Sequence, residues 1–301
     1  MGNIIALVWD FDKTLIKGYM QDPVFRHYGV DANEFWKEVN KLPEFYKKQG
    51  VKVNKDTIYL NQFIREANGG RFDGLNNEKL REFGKELEFY EGIPEIFTEI
   101  NNLIEQNSQY KEYNIKVEHY IVSTGMTEII KGSKVAEFIK SVWGCELIEK
   151  EGDGAGIISE IGYTLDNTSK TRALFEINKG IPQNPEIDVN SKMPHELRRV
   201  RFENMIYIAD GPSDVPAFSV VKSYGGSTFA VYPNENEKAF KQVERLRKDG
   251  RVDMYAEADY TKGTTAYLGI TNKISELAEN IRQTEKRKLT ASVSDAPTHI
   301  I

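Results

Sequence analysis

The sequence predicts an α/β fold: a Rossmann-like, mostly parallel sheet core flanked by helices, with an inserted helical segment and a β-hairpin flap. Three observations predict it. Short runs at 4–9 (IIALVW), 117–122 (VEHYIV) and 204–209 (NMIYIA) read as buried strands. Stretches of helical spacing separate them, and strands alternating with helices build a right-handed parallel sheet. Each run leads into a polar cluster, Asp10–Thr14, Ser123–Gly125 and Asp210–Asp214. Ligands of open α/β sheets bind outside the carboxyl ends of strands, so residues far apart in sequence are expected to meet there.

The elements follow in order. From 16 to 89, apolar residues recur at helical spacing (Phe35, Trp36, Val39; Tyr59, Leu60, Phe63, Ile64), with breaks expected at Pro43, Gly50 and Gly69-Gly70. This is the helical insert. EGIPEIFTEINNLIEQN predicts an amphipathic helix opening near Pro94, since proline suits a first helical turn. One helix is expected over 128–143, EIIKGSKVAEFIKSVW. Residues 145–165 alternate on either side of Gly152-Asp153-Gly154, a hairpin signature. SKTRALFEINKG predicts a short helix stopped by Gly180, and 181–195 reads as a long loop. STFAVY and VDMYAEA are further strands with EKAFKQVERLRK as the helix between them. NKISELAENIRQ places Ile274, Leu277 and Ile281 on one helical face, and 286–301 reads as a peripheral tail.

Composition narrows the function classes. The chain has 301 residues, 40% hydrophobic and 29% charged, which is ordinary for a soluble globular protein. No run reaches the roughly 18 apolar residues of a membrane span, and the N-terminus lacks a signal-peptide pattern. Cytoplasmic residence is the expectation. The single cysteine, Cys145, excludes an intramolecular disulfide and argues against thiolate zinc sites. The four histidines (His27, His119, His195, His299) show no metal-ligand spacing. A net charge of −6 without a basic stripe argues against nucleic acid or an anionic membrane as partner. An anionic substrate stays open, because a metal ion inverts the field locally.

The chemistry lies in four segments. Asp10-Phe11-Asp12-Lys13-Thr14 puts two carboxylates at the end of a buried strand, a weak signal by itself. IADGPSDVPAF sets Asp210 at a strand end and Asp214 four residues on, with Gly211 allowing a tight turn. IVSTG offers the Ser123 hydroxyl, Thr124 and Gly125, where main-chain N–H groups approach an anion. Lys170 opens a helix, a position disfavoured by the macrodipole that hints at an anionic partner. Taken in this order, the four segments resemble the haloacid dehalogenase superfamily of phosphohydrolases. The helical insert after the first motif looks like the cap of its phosphoserine-phosphatase-like branch. Ala209 stands where glycine is common, and the long separation of Lys170 from Asp210 leaves Lys179 and Lys192 open as alternatives for the third motif.

The resemblance implies a catalytic core of 1–15 and 90–285, a cap of 16–89, and Mg²⁺-dependent hydrolysis of a small phosphorylated metabolite. Asp10 would be the nucleophile, Asp12 the general acid and base, and Lys170 the neutralising cation. Ser123, Thr124, Gly125 and Lys170 would bind phosphate. Asp10, Asp12 through its main-chain carbonyl, Asp210 and Asp214 would hold the metal, with Asp214 acting through water or orienting Lys170. Thr14 would fix the motif-one loop. Asp12 argues for phosphoryl chemistry, since dehalogenases of this superfamily carry no acid there. A phosphotransferase on the same fold, or a binding or regulatory protein without useful turnover, are the alternatives. Arg26, His27, Tyr59 and Arg65 are polar residues of the insert that stay outside the expected site.

Overall fold

Strand β1 (Ile4–Trp9) is the middle strand of the molecule, and Ile5 through Trp9 are fully shielded from solvent. Fully burying one such apolar side chain contributes about 1.5–3 kcal/mol, so this run anchors the core. The computed structural model describes residues 2–150 and 156–294. The expected Gly152-Asp153-Gly154 turn and the last seven residues of the tail lie outside the described residues.

Four helices follow β1: α1 (Asp22–Tyr28), α2 (Ala32–Lys47), α3 (Ile58–Ala67) and α4 (Asn77–Gly84). Asp31 and Asn76 accept the N–H groups of Glu34 and Lys79 and so cap α2 and α4. Aromatic rings fill the space between these helices, with Phe63 and Phe72 at 4.9 Å and Phe25 and Phe35 at 5.0 Å. The chain enters and leaves this segment side by side. Lys17 N–H donates to the Glu88 carbonyl at 2.9 Å and Tyr90 N–H to the Leu15 carbonyl at 3.0 Å.

The remaining elements are α5 (Glu95–Glu105), α6 (Ser108–Glu112), β2 (Lys116–Met126), α7 (Thr127–Gly132), β3 (Ile139–Lys150), β4 (Ile157–Tyr163) and α8 (Lys170–Lys179). They continue as β5 (Met205–Ala209), α9 (Val215–Ser223), β6 (Ser227–Tyr232), α10 (Glu237–Lys248), β7 (Met254–Glu257) and α11 (Thr265–Ser294). The sheet order is β4-β3-β2-β1-β5-β6-β7, parallel except for the antiparallel β3–β4 pair. Helices α5 and α11 pack on one another and on β1 and β2, while α8 and α9 pack together against β2 and β5. This is the expected α/β architecture, with β4 as the flap. Among the described residues, no helix is long and apolar enough to cross a membrane.

The structure corrects four local expectations. The helix expected over 128–143 stops at Gly132, and Ile139–Lys150 is strand β3. A Cβ on Gly132 would fall 1.9 Å from the Arg81 carbonyl oxygen, so α4 and α7 meet where only glycine fits. Beyond that contact, the edge of β2 captures the following segment in parallel pairing. Pro43 does not break α2 but lies inside it. Strand β2 runs on to Met126, with irregular register between Val122 and Met126, so Ser123–Gly125 sit in a distorted strand end rather than after it. Helix α11 runs from Thr265 to Ser294, longer at both ends than the helical stretch expected over 272–283.

Candidate active site

The parallel register fixes where the polar clusters stand. Trp9 lies opposite Ile121 on β2 and Ile208 on β5, and Asp10 N–H donates to the Ile208 carbonyl at 2.9 Å. Asp10, Ser123 and Asp210 are therefore carried to the same end of three adjacent strands, the end where ligands of such sheets bind. Beyond Asp10 the chain turns sharply. Lys13 adopts a left-handed conformation (φ 57), uncommon for a residue with a side chain, and Thr14 Oγ1 donates to Asp10 Oδ2 at 3.2 Å.

Lys170 completes the group. Its Nζ donates to Asp10 Oδ1 and Asp214 Oδ1, both at 2.7 Å, and the side chain is 1% exposed. Of the three candidate lysines, it is the one that reaches the carboxylates. Lys179 instead donates to the Val189 and Ser191 carbonyls, and Lys192 is exposed. Tyr207, buried in β5, donates its hydroxyl to Asp214 Oδ1 at 2.6 Å, and Ser213 donates to Asp214 Oδ2 at 2.9 Å.

Asp10 and Asp214 bond one ammonium, and Asp12 and Asp210 lie near enough to feel its charge, so carboxyl groups outnumber cations here. Burial pushes Asp10 up to about 6, with Lys170 opposing and the Asp214 charge adding to the rise. Burial and the Asp10 charge push Asp12 up to about 8, although the Met20 N–H, 2.9 Å from Asp12 Oδ1, opposes the shift. Asp210 rises to about 7, through burial first and then the Asp10 charge. Burial alone would lower Lys170, but the Asp10 and Asp214 carboxylates outweigh it and hold the ammonium above the ordinary lysine value.

Asp10, Asp210 and Asp214 each offer a carboxylate oxygen within 4.8 Å of the others, a group able to hold a metal ion. The donors are all oxygen, which suits a hard divalent cation, and three carboxyls with raised pKa values sit where another positive charge would relieve them. The residues fit such an ion. Asp12 is not in this carboxylate triad.

Ser123, Thr124 and Gly125 stand on the neighbouring strand and make no hydrogen bond to the carboxylates among the described residues. Ser123 Oγ accepts the Gly125 N–H at 3.0 Å. A Cβ on Gly125 would fall 2.1 Å from the Met20 methyl, so Met20 packs directly on this strand and its flexible side chain would have to move aside for any larger residue. Tyr59, from α3, is buried and donates its hydroxyl to the Thr124 carbonyl at 2.9 Å. The Gln21 side chain lies against that hydroxyl, and Gln21 Oε1 is buried without a partner among the described residues.

Sequence reasoning missed Tyr207, Met20 and Gln21. A tyrosine in an otherwise apolar strand was the available signal for Tyr207, because a buried phenol needs a partner. Met20 and Gln21 carry no local signal. The other polar residues of the insert lie elsewhere: Arg26 is 4.0 Å from Glu86, His27 packs on Tyr28 and Phe83, and Arg65 pairs with Tyr46.

No protein-family model matches the chain. A protein of Borreliella burgdorferi, described only as an uncharacterized protein, is 38% identical over 287 residues, spanning 90% of this chain and 97% of that one. The two chains belong to one family. Among solved structures, a HAD family hydrolase from Salmonella enterica serovar Typhi is similar with a TM-score of 0.54 at 13% identity, covering 89% of this chain and 70% of that one. The chain has the haloacid dehalogenase fold. A probable phosphoserine phosphatase from Vibrio cholerae shares this haloacid dehalogenase fold, with a TM-score of 0.51 at 12% identity over 93% of this chain and 67% of that one.

Proposed function

We propose that this protein is a Mg²⁺-dependent phosphatase that hydrolyses a small phosphomonoester through an aspartyl-phosphate on Asp10. The observation that carries the proposal is the buried Lys170 ammonium, 2.7 Å from both Asp10 and Asp214 at the strand ends. A carboxylate approaching a phosphate dianion is repelled, and a fixed cation beside its oxygen lowers that barrier.

In the first step Asp10 attacks phosphorus in line, the bond to the leaving alcohol breaks, and Asp12 gives its proton to the departing oxygen. The value of about 8 on Asp12 supports this role, since the group holds a proton near neutral pH. In the second step Asp12 takes a proton from water, the water oxygen bonds to phosphorus, and Asp10 is released as a carboxylate with phosphate as product. Ser123 would hold a phosphate oxygen, and the Gly125 N–H would join it by exchanging its bond to Ser123 Oγ for one to phosphate. Asp10, Asp210, Asp214 and the Asp12 main-chain carbonyl would hold Mg²⁺, which supplies charge stabilisation for the transferring group.

Residues 16–89 act as a cap in this reading, with 1–15 and 90–285 as core and 286–301 as a peripheral tail. The Met20 contact with Gly125 and the Tyr59 bond to Thr124 support a seat over the site. Gln21 Oε1 then offers an acceptor to the leaving alcohol.

Turnover of an aryl phosphate with Mg²⁺ tests the proposal. Activity should vanish with chelator and fall at least about 10³-fold in Asp10→Asn. Undiminished metal-dependent turnover by purified Asp10→Asn would remove the nucleophile assignment.

A further inference from the structure

Helix α8 opens on Lys170, and the turn before it is held by one side chain. Asp166 Oδ1 accepts the N–H groups of Thr168 at 3.0 Å and Ser169 at 2.6 Å, while Asp166 N–H donates to Ser169 Oγ at 2.7 Å. This is a reciprocal helix cap, and Lys170 N–H closes it on the Asp166 carbonyl at 3.1 Å. The anionic cap also offsets the unfavourable placement of a lysine at a helix N-terminus.

The second carboxylate oxygen of Asp166 is used from outside. Asn54 Nδ2, on the linker between α2 and α3, donates to Asp166 Oδ2 at 2.8 Å. A second bond runs the other way, with Asn167 N–H donating to Asp56 Oδ2 at 3.3 Å. The linker is braced for this, because Asp56 N–H donates to Asn54 Oδ1 at 2.9 Å and Ile58 N–H to the Asn54 carbonyl at 3.0 Å. Helix α3 begins at that point and carries Tyr59 to the Thr124 carbonyl. One short segment of the insert therefore touches both the turn that launches Lys170 and the strand that carries Ser123.

We infer that Asp166 is a positioning residue that ties the seating of residues 16–89 to the placement of the Lys170 ammonium between Asp10 and Asp214. A lysine side chain has four rotatable bonds, so holding its charge depends on where the first turn of α8 sets its Cα. With the insert seated, Asn54 and Asp56 hold that turn from outside. With the insert lifted, Asp166 keeps its local cap but loses the external bonds, and Lys170 is held less firmly. The electrostatics of the site are assembled by the same motion that covers it. The kinetic consequence rests on the phosphatase reading above, whereas the structural link does not.

The test is Asn54→Ala in the full chain, since Asn54 is exposed and its loss leaves the Asp166 cap intact. Two readouts need no activity: hydrogen exchange of the peptide covering 166–171, and labelling of Lys170 by an amine-reactive reagent, read by mass spectrometry. Both should rise about threefold to tenfold, the equivalent of one lost hydrogen bond, while exchange in β5 stays unchanged. On an aryl phosphate, kcat should fall by a similar factor with KM nearly constant. Adding Asp166→Asn to Asn54→Ala should change kcat less than the two single effects combined. Unchanged exchange and labelling in Asn54→Ala would overturn the inference, as would increased exchange with Lys170 as protected as in the parent. If the parent hydrolyses no phosphomonoester, the phosphatase reading fails and the exchange and labelling results still decide the link.

Discussion

Asp214 shows how much a single side chain is asked to do here. It is fully buried, and its oxygens take the Lys170 ammonium, the Tyr207 hydroxyl and the Ser213 hydroxyl. A hydrogen bond to a charged group contributes about 1.5–3 kcal/mol. Tyr207→Phe should therefore lower stability by about that amount in urea unfolding, with a smaller effect on turnover than Asp10→Asn. Within the metal-holding triad, Asp10 and Asp210, raised to about 6 and 7, give a second prediction at this scale. A divalent cation entering the triad displaces the protons they hold, so binding should release protons and weaken as pH falls from 8 to 6. Calorimetric titration in two buffers of different ionisation enthalpy measures the released protons. Equal heats in the two buffers would contradict it.

At the scale of elements, the contact between α4 and α7 is the most exacting. Gly132→Ala forces a side chain against Arg81 backbone atoms, and overpacking of this kind is expected to lower stability by about 1–3 kcal/mol in denaturant unfolding. That contact also explains what the sequence could and could not convey. IIALVW was legible because a strand buried on both faces needs no partner information to be seen. The aspartates were legible because carboxylates at the end of such a strand require compensation. The break between α7 and β3 was not, since EIIKGSKVAEFIKSVW suits a helix until the β2 edge and the α4 backbone compete for it. Pro43 misled for the opposite reason, as tertiary packing carried α2 through a local breaker. Gln21 and Met20 became visible only when the insert was set against the strands.

For the whole molecule, buried titratable groups set how stability responds to pH. A carboxyl raised in the folded state keeps its proton where the unfolded chain, near 3.8, has lost it. Stability then falls as pH rises from about 4 towards each folded value. His119 works in the opposite direction. Burial lowers it to about 3 from 6.5, and its Nδ1 accepts the Trp9 indole N–H at 3.2 Å, so its contribution is present above 6.5 and lost as pH falls towards 3. Between pH 6.5 and 8 only the carboxyls of this set still act. Chelator-treated protein should show a falling Tm across that window, and added Mg²⁺ should raise Tm most at its upper end. A flat profile with and without Mg²⁺ would contradict this reading of Asp10, Asp12 and Asp210.

The three tryptophans stand in three different parts of the molecule. Trp9 lies in β1 and Trp143 in β3, where its indole donates to Glu176 at 2.7 Å. Trp36 belongs to α2 and lies 6.3 Å from the Tyr19 ring and 5.8 Å from the Tyr59 ring. Replacing Trp9 and Trp143 with phenylalanine would leave Trp36 as a single intrinsic fluorophore inside the insert. Its emission would then follow movement of that segment in real time, without an attached dye.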